Sequence, residues 1–546
     1  MTIDFLLLII TFFLILLSIL GYGYQLALVS NIKCEIGYKG LLGIFFLIIY
    51  SIVSNFFVPH DKIHNSIIIV IGIILFIINF LKKKYSPKEL KLLSITSLIF
   101  LITVFLYKNH DDFFYYHLPY ELTLLNYTKM IGLGKLGIVG FNTHSSIFYL
   151  NSLFYIPVIN LYALHFGVIY IYLFSITIIL DFILKKISTK KIDYLFFQYL
   201  FALIFSLVFF YRIAEHGTDR SGLLLAYILI LLTLEAFIIS NRTDFLNQFN
   251  KMLLVLALTV SFKSFFIIYF SFLILLIWVK RKFLIKIFNY LILNAMFYFF
   301  ILSIFLVTLT TFLNSGCLVF PLALTCFDFD WSNSIDSVNH TKNWFELWSK
   351  AGATPHYKVE DPNIYIKNFN WLSLWIKEYF FNKVSDFLLS IIFISLVFVS
   401  LFKVRNYNKI IRTIKPEHIY LYLLIIIIFF EWFLNHPSLR YGGYTIVALL
   451  FFYPMSFIFK MDNKYNIFVK KTFIIIIISF SVFLLRNIDR LNKEYQQYGY
   501  NLFLNPYFRI DNVGFRLEYE IKDYINKNVL CKKGSIYVYK KSEACN

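Results

Sequence analysis

Charged residues are scarce in this sequence. Of its 546 residues only 15% are Asp, Glu, Lys or Arg, whereas roughly 25% are charged in an average soluble domain. Hydrophobic residues make up 59% of the chain, and the mean hydropathy is +0.72. The length alone would suggest about three or four soluble domains. The composition excludes a soluble protein of that kind.

The long apolar runs also lack the strict alternation of polar and apolar residues that is typical of membrane-spanning strands. A helix needs about 20 mostly apolar residues to cross the hydrocarbon core, and runs of this kind recur throughout the chain. We therefore predict an all-α polytopic membrane protein with about fourteen transmembrane helices, exterior loops and a small exterior α/β C-terminal tail. The predicted crossings lie near residues 5–28, 41–57, 66–80, 92–107, 164–184, 194–210, 223–239, 252–262, 265–279, 288–312, 387–402, 419–434, 445–459 and 473–485.

The first apolar run lacks the basic flank and the Ala-x-Ala cleavage site of a signal peptide, so we expect a retained span. The crossings divide the chain into six predicted parts. In chain order they are four N-terminal transmembrane helices (1–107), an exterior acidic aromatic loop (108–145), a central transmembrane bundle (146–312), a long exterior loop (313–384), C-terminal transmembrane helices (385–485) and an exterior tail (486–546).

Basic residues are unevenly distributed between the connecting loops. Every second connecting loop, and so all the loops on one side of the membrane, carries most of the basic residues, in runs such as residues 82–84, 280–282 and 470–471. The positive-inside rule places these loops in the cytoplasm. Both termini are then expected on the exterior, periplasmic side of a bacterial inner membrane. We attribute the net charge of +20 to this bias and expect no nucleic-acid partner, although a surface that binds another polyanion stays open.

The five cysteines follow the same partition. Cys317 and Cys326 share one predicted exterior loop, Cys531 and Cys545 share the tail, and Cys34 is on the predicted inner side. Because the exterior is oxidising, we predict the disulfides Cys317–Cys326 and Cys531–Cys545. The alternative is chance, since four cysteines permit three connectivities.

Polar residues at the ends of apolar runs form four clusters, all on the predicted outer side. Charges near spans are costly and usually face a cavity. The alternatives without a catalytic role are a solvated helix end, a salt-bridged loop, a snorkelling lysine and an arginine bound to lipid headgroups. We expect the four clusters to share one cavity. The first cluster is His110, Asp111 and Asp112 with His117, and the second is Arg212, Glu215, His216, Asp219 and Arg220. The third is Lys263, and the fourth is His436, Arg440 and Tyr441.

A family resemblance follows from these motifs. An aspartate-bearing aromatic loop after an early span, many further spans and a soluble tail together resemble the GT-C superfamily of membrane glycosyltransferases. Lys263 is similar to the lysine of their K-G-P element, although Ser264 and Phe265 follow it in this chain, and Arg440-Tyr441 resembles their R-Y element. The segments HDDFFYYHLPY and FNTHSSIFYLNS also resemble a group of bacterial envelope membrane proteins.

The resemblance implies transfer of a sugar from a polyprenyl-phosphate donor to a glycan or lipid acceptor at the outer face. Asp111 or Asp112 would be the general base, and Lys263, Arg220 and Arg440 would stabilise the leaving phosphate. The remaining members of the clusters would bind substrate. A divalent cation held by His110, His117 and Asp112 stays open. The alternative functions are a lipid-linked oligosaccharide flippase, a polymerase or a secondary transporter.

Overall fold

The computed structural model of the chain describes residues 3–106, 112–136, 139–213, 218–353, 359–406, 410–411, 413–462, 464–504, 506, 521–523, 525–527 and 529–539. Its α-helices are α1 (Ile3–Val29), α2 (Ile36–Ser54), α3 (Lys62–Leu81), α4 (Pro87–Phe100), α5 (Leu118–Asn126), α6 (Ser146–Ser152), α7 (Phe166–Ser188), α8 (Tyr194–Phe209), α9 (Thr218–Ile238), α10 (Arg242–Phe262), α11 (Phe270–Val279), α12 (Arg281–Ile292), α13 (Ala295–Ser315), α14 (Ile335–Lys350), α15 (Pro362–Tyr365), α16 (Leu372–Trp375), α17 (Ser385–Leu401), α18 (Pro416–Asn435), α19 (Gly443–Ile458) and α20 (Tyr465–Tyr498). The strands are β1 (Met130–Ile131), β2 (Lys403–Val404), β3 (Phe459–Lys460), β4 (Leu530–Lys533) and β5 (Ile536–Tyr539).

Ten helices in the described residues are long and apolar enough to cross a membrane. A further pair, Ser264–Val279 with Arg281–Ile292, is bent by 107° and raises the number to eleven if it counts as one span. The helices α8 and α19 are apolar but have only 16 residues each. The protein is therefore an integral, multi-pass α-helical membrane protein.

The predicted number of about fourteen crossings is not confirmed, because in the described part of the chain four predicted segments do not form single helices of membrane-spanning length. They are the segments at residues 92–107, 194–210, 265–279 and 445–459. The crossing expected at residues 92–107 corresponds to α4, which has 14 residues and passes into a 3-10 turn, Leu101–Phe105. The short pair expected at residues 252–262 and 265–279 begins instead with a single helix of 21 residues, α10. Polar residues before Met252 are buried in the bundle, so the helix continues through them.

Among the helices of membrane-spanning length, α2, α7, α9 and α10 form the centre of the bundle. Between 83% and 89% of the most apolar window of each is buried inside the protein. The same fraction is 28–44% in α1, α3, α13, α18, α20 and the segment Leu372–Leu401. These outer helices expose large apolar side chains such as Phe393 and Ile427, which is the surface that lipid requires.

The N-terminal helices pack through glycine. A Cβ atom on Gly21 would lie 2.0 Å from the carbonyl oxygen of Gly72, and one on Gly43 would lie 1.9 Å from that of Ile19. Only glycine therefore permits the backbone of α1 to touch those of α3 and α2. Close backbone approach at small residues is a common way for helices to associate in lipid.

The three predicted exterior segments contact one another. Strand β1, in the acidic aromatic loop, pairs in parallel with β5 of the tail, and β4 completes the sheet. The Gly132 amide donates to the Leu313 carbonyl at 2.7 Å, and the Asn333 side chain donates to Asn142 at 2.6 Å. The loop, the long loop and the tail therefore meet at one end of the bundle, while the side of the membrane stays a prediction.

The first predicted disulfide is present in the structure. Cys317 and Cys326 are bonded, and their Cα atoms lie 3.8 Å apart. The bond closes a short hairpin whose apolar residues pack on Val338 of α14. Cys531 lies in β4 and is also disulfide-bonded, but its predicted partner Cys545 lies outside the described residues.

Candidate functional site

A network of ion pairs lies where the extramembrane segments meet the bundle. Nη2 of Arg440 lies 2.9 Å from Asp112 Oδ2, and Nε of the same guanidinium donates to Asp219 Oδ2 at 2.9 Å. The other carboxylate oxygen of Asp219 accepts from the Nζ of Lys263. The network joins two carboxylates and two cations from four separate segments of the chain.

Each member lies where a helix begins or ends. Asp219 is in the first turn of α9, where the positive end of the helix dipole favours a carboxylate. Lys263 is an extended residue, with φ of −158°, between α10 and a 3-10 helix. Arg440 lies in a 3-10 turn between α18 and α19, and Asp112 directly precedes a π-helical turn. The charges thus lie at helix ends near the membrane boundary, where their desolvation costs less than at the bilayer centre.

The two carboxylates differ in exposure. The Asp219 side chain is 11% exposed and accepts from both Lys263 and Arg440. The Asp112 side chain is 28% exposed and pairs with Arg440. Asp219 is therefore suited to hold the two cations in place, whereas Asp112 is the carboxylate that an incoming molecule reaches more easily.

Aromatic rings surround the two cations. The guanidinium carbon of Arg440 lies 5.4 Å from the Trp348 ring centre and 5.6 Å from that of Tyr441. The Nζ of Lys263 lies 5.7 Å from the Tyr441 ring centre and 5.9 Å from that of Phe265. Cation–π contacts at such distances stabilise the charged form and limit where the long side chains can move.

Burial and the neighbouring charges shift the pKa values of the loop residues at this site. Burial opposes the charge on Arg440, but Asp219 and Asp112 outweigh it and hold the pKa of the guanidinium well above its ordinary value. Burial raises the pKa of the Tyr441 hydroxyl. Burial also lowers the pKa of His436, whose ring lies 6.2 Å from that of Tyr441. At neutral pH the site thus presents a fixed cation beside neutral hydroxyl and imidazole groups.

Arg220 and Arg212 lie beside this network. Arg220 follows Asp219 on α9, and its guanidinium donates to the backbone carbonyl of Arg212. The Arg212 guanidinium carbon lies 5.9 Å from the ring centre of Tyr211. The predicted members His110, Asp111, Glu215 and His216 lie outside the described residues.

His117 packs among aromatic rings. It is 3% exposed, and its ring centre lies 4.3 Å from that of Tyr116 and 4.9 Å from that of Phe148. Within the described part of the chain, no group of three or more His, Cys, Asp or Glu residues could hold a metal ion. The divalent cation that the sequence left open would need His110, which is outside that part.

Two further residues at this end of the bundle were not predicted from the sequence. Trp348 comes from the long loop, and only the return of α14 over the bundle brings its ring to Arg440. Lys129 is buried and donates to Tyr149 at 3.1 Å and to Asn314 at 3.3 Å. Burial lowers the pKa of Lys129 to about 7. A basic residue in a polar loop gives no sequence signal of burial, because its cover comes from distant segments.

Comparison with known proteins gives a family and no named relative. No curated protein and no solved structure matches the chain. One family model matches residues 5–447, a stretch that contains Asp112, Asp219, Lys263 and Arg440. The chain belongs to this family, which is described as "Domain of unknown function (DUF8201)".

Proposed function

We propose that the protein is a membrane glycosyltransferase of the GT-C type. It would transfer a sugar from a polyprenyl-phosphate donor to an envelope glycan or lipid acceptor. The observation that carries the proposal is the network of Asp112, Asp219, Lys263 and Arg440 at one end of a membrane bundle. Carboxylates and cations held together at that depth suit a reaction that moves a proton and releases a phosphate.

Asp112 is the proposed general base. It is the more exposed carboxylate, since its side chain is 28% exposed and that of Asp219 is 11% exposed. Asp219 is held by both Lys263 and Arg440. In the proposed step, Asp112 takes the proton of the acceptor hydroxyl while the acceptor oxygen bonds to the anomeric carbon. The bond from that carbon to the phosphate oxygen breaks, and its electron pair leaves with the polyprenyl phosphate. General-base help of this kind contributes roughly 10²–10⁴-fold to the rate.

Arg440 and Lys263 are the proposed phosphate ligands. A guanidinium offers five N–H donors in one plane, so Arg440 can keep Asp219 on Nε and Asp112 on Nη2 and present its remaining N–H groups to a phosphate. Lys263 supplies a second positive charge on the other side of Asp219. The apolar surface of the outer helices would accommodate the polyprenyl chain in the bilayer.

The second candidate function is transport or flipping of a lipid-linked saccharide. The helical conformation is interrupted at Lys263, between α10 and a 3-10 helix. Discontinuous helices often mark the binding sites of transporters. A flippase would move the intact donor across the bilayer and leave the bond between sugar and phosphate unbroken. A polymerase of lipid-linked oligosaccharides would be a variant of the proposed enzyme.

The test uses the full chain reconstituted in liposomes that contain a radiolabelled polyprenyl-phosphate sugar and an envelope lipid extract as acceptor. We expect polyprenyl phosphate to accumulate with the wild type, and Asp112→Asn to slow its release by roughly 10²-fold or more. The matched control is Asp489→Asn, which removes an exposed carboxylate paired with Lys493. Movement of intact donor across the bilayer without phosphate release would favour the flippase instead.

A further inference from the structure

The helix α12 turns away from the direction of its neighbours. It follows α11 at Lys280, and the segment that ends with α11 makes an angle of 107° with it. The Nζ of Lys280 donates to the Ile239 carbonyl at 3.0 Å, just after the end of α9. Since Asp219 lies in the first turn of α9, α12 is at the opposite end of the bundle from the ion-pair network.

Three different stripes run along α12. The first stripe is buried against the protein and includes Leu284 and Ile287. The second is apolar but exposed, with Ile285 at 76% and Phe288 at 58% exposure. The third is polar and exposed and contains Lys282, Lys286 and Asn289. Residues three and four positions apart share a face of a helix, so protein, apolar surface and polar surface occupy separate sides.

The charge on α12 has a single sign. Its sequence RKFLIKIFNYLI contains Arg281, Lys282 and Lys286 and no acidic residue. Lys282 and Lys286 are four positions apart, and like charges at that spacing destabilise an isolated helix. An anionic partner would remove this cost.

Exposed aromatic residues lie close to α12. Trp278, in the last turn of α11, is 50% exposed and lies 4.9 Å from the ring of Tyr420, which is 40% exposed. The Arg242 guanidinium carbon lies 4.1 Å from the ring centre of Tyr290 on α12. Exposed Trp and Tyr beside Lys and Arg are typical of the level of the lipid headgroups.

We propose that α12 lies in the plane of the membrane interface and that Lys282 and Lys286 bind the phosphates of anionic lipids in that leaflet. Ile285 and Phe288 enter the upper part of the acyl chains, while the polar stripe faces the headgroups. An amphipathic helix with basic residues on its polar face binds membranes in this way. This assignment does not depend on the proposed glycosyl transfer, because α12 is at the other end of the molecule.

The depth of α12 is tested with spin labels on the full chain in lipid nanodiscs. In a Cys34→Ser background, the single variants Ile285→Cys and Asn289→Cys carry the label. We expect the label at Ile285 to be relaxed mainly by oxygen, which concentrates in the acyl chains, and the label at Asn289 mainly by a water-soluble nickel chelate. Equal accessibility of both labels to the nickel chelate would overturn the interfacial placement.

The lipid preference is tested in nanodiscs that contain phosphatidylcholine and phosphatidylglycerol, by counting phosphatidylglycerol bound to the protein with native mass spectrometry. A lysine near an anionic surface contributes about fivefold to binding, so the double variant Lys282→Gln/Lys286→Gln should bind at least about fivefold more weakly. The control Lys342→Gln/Lys367→Gln removes two exposed lysines from the long loop and should bind as the wild type does. Unchanged binding in the first variant, or equal loss in both, would refute the proposal.

Discussion

Asp219 and Asp112 belong to one network but should respond differently to substitution. Asp219 is 11% exposed and bonds to Lys263 and Arg440 at once. Removal of one partner from a buried ion pair leaves an uncompensated charge, which is far more costly than loss of an exposed pair. The Asp112 side chain is 28% exposed, so solvent can screen Arg440 when that carboxylate is missing.

We therefore predict that Asp219→Asn lowers the stability of the protein by about 3 kcal/mol, whereas Asp112→Asn lowers it by about 1 kcal/mol or less. Thermal unfolding of the purified variants in detergent measures the difference. Combining Asp219→Asn with Lys263→Met removes one of the two stranded charges and should recover part of the loss. Equal destabilisation by the two single substitutions would contradict the separate roles of Asp219, which holds the two cations, and Asp112, the proposed base.

The pKa of Lys129 predicts a dependence of stability on pH. In the unfolded chain a lysine keeps its proton up to a pH of about 10.4, but burial lowers the pKa of Lys129 in the folded protein to about 7. Between these values the unfolded state binds more protons, so stability rises with pH by up to about 1.4 kcal/mol per unit. The neighbouring His144 has a pKa lowered by burial to about 3 and stays neutral throughout this window.

Lys129→Met should remove that contribution. Its unfolding midpoint, measured between pH 7 and pH 10, should rise less with pH than that of the wild type. Lys493→Gln is the control, because Lys493 is 69% exposed and its loss should leave the slope unchanged. Identical slopes for Lys129→Met and the wild type would show that Lys129 is charged in the folded protein at neutral pH.

Residues whose position follows from local sequence were the easiest to find. Asp112, Lys263 and Arg440 each flank an apolar run, and that position alone marks a charge at the membrane boundary. Trp348 and Lys129 give no such signal, because their contacts with Arg440 and Asn314 depend on how distant segments fold back. Sequence periodicity describes a single element and not the packing of one element on another.

At the scale of elements, α14 is fixed at both ends. Near its start, Val338 packs on the hairpin that the Cys317–Cys326 bond closes. At its end, the Lys350 side chain is buried, donates to the Ile366 carbonyl at 2.9 Å and lies over the Trp371 ring. This double attachment is what holds Trp348 beside Arg440.

We predict that Cys317→Ser/Cys326→Ser destabilises the protein by roughly 2–3 kcal/mol, the loop entropy of a bridge between residues nine positions apart. The loss should concentrate on α14, so amide hydrogen exchange should increase there more than in α9. Cys34→Ser is the control, because Cys34 is a free cysteine. Unchanged exchange in α14 would mean that contacts at Lys350 alone hold the helix.

The sequence predicts the existence of most crossing helices but not their lengths or bends. The crossing expected at residues 288–312 illustrates this, because α12 and α13 are separate helices that meet between Ile292 and Ala295. Hydropathy cannot separate an interfacial helix from a crossing when both are rich in Ile, Leu and Phe. The angle between them is set by packing on neighbouring helices.

Over the whole molecule, charged networks lie at both ends of the central bundle. One end holds Arg440 and its partners. At the other end, Lys251 pairs with Glu35 at 2.8 Å and Lys39 pairs with Glu89 at 3.3 Å. The helices α9 and α10 connect the two ends, because Asp219 lies in the first turn of α9, while α10 contains Lys251 and ends beside Lys263.

The last prediction concerns which end faces the cytoplasm. The positive-inside rule places the basic loops, including residues 280–282, in the cytoplasm, so the ion-pair network and the tail should face outward. In a Cys34→Ser background, Lys282→Cys should react with a membrane-impermeant maleimide only after cells are permeabilised, whereas Lys342→Cys on α14 should react in intact spheroplasts. Lys493→Cys, near the end of α20, should also react in intact spheroplasts and gives an independent check. The chain just beyond it lies at the end of the bundle that holds the network, where the Tyr500 hydroxyl donates to the Phe105 carbonyl at 3.1 Å. Labelling of Lys282→Cys in intact spheroplasts would reverse the orientation and place the proposed transfer reaction on the cytoplasmic side.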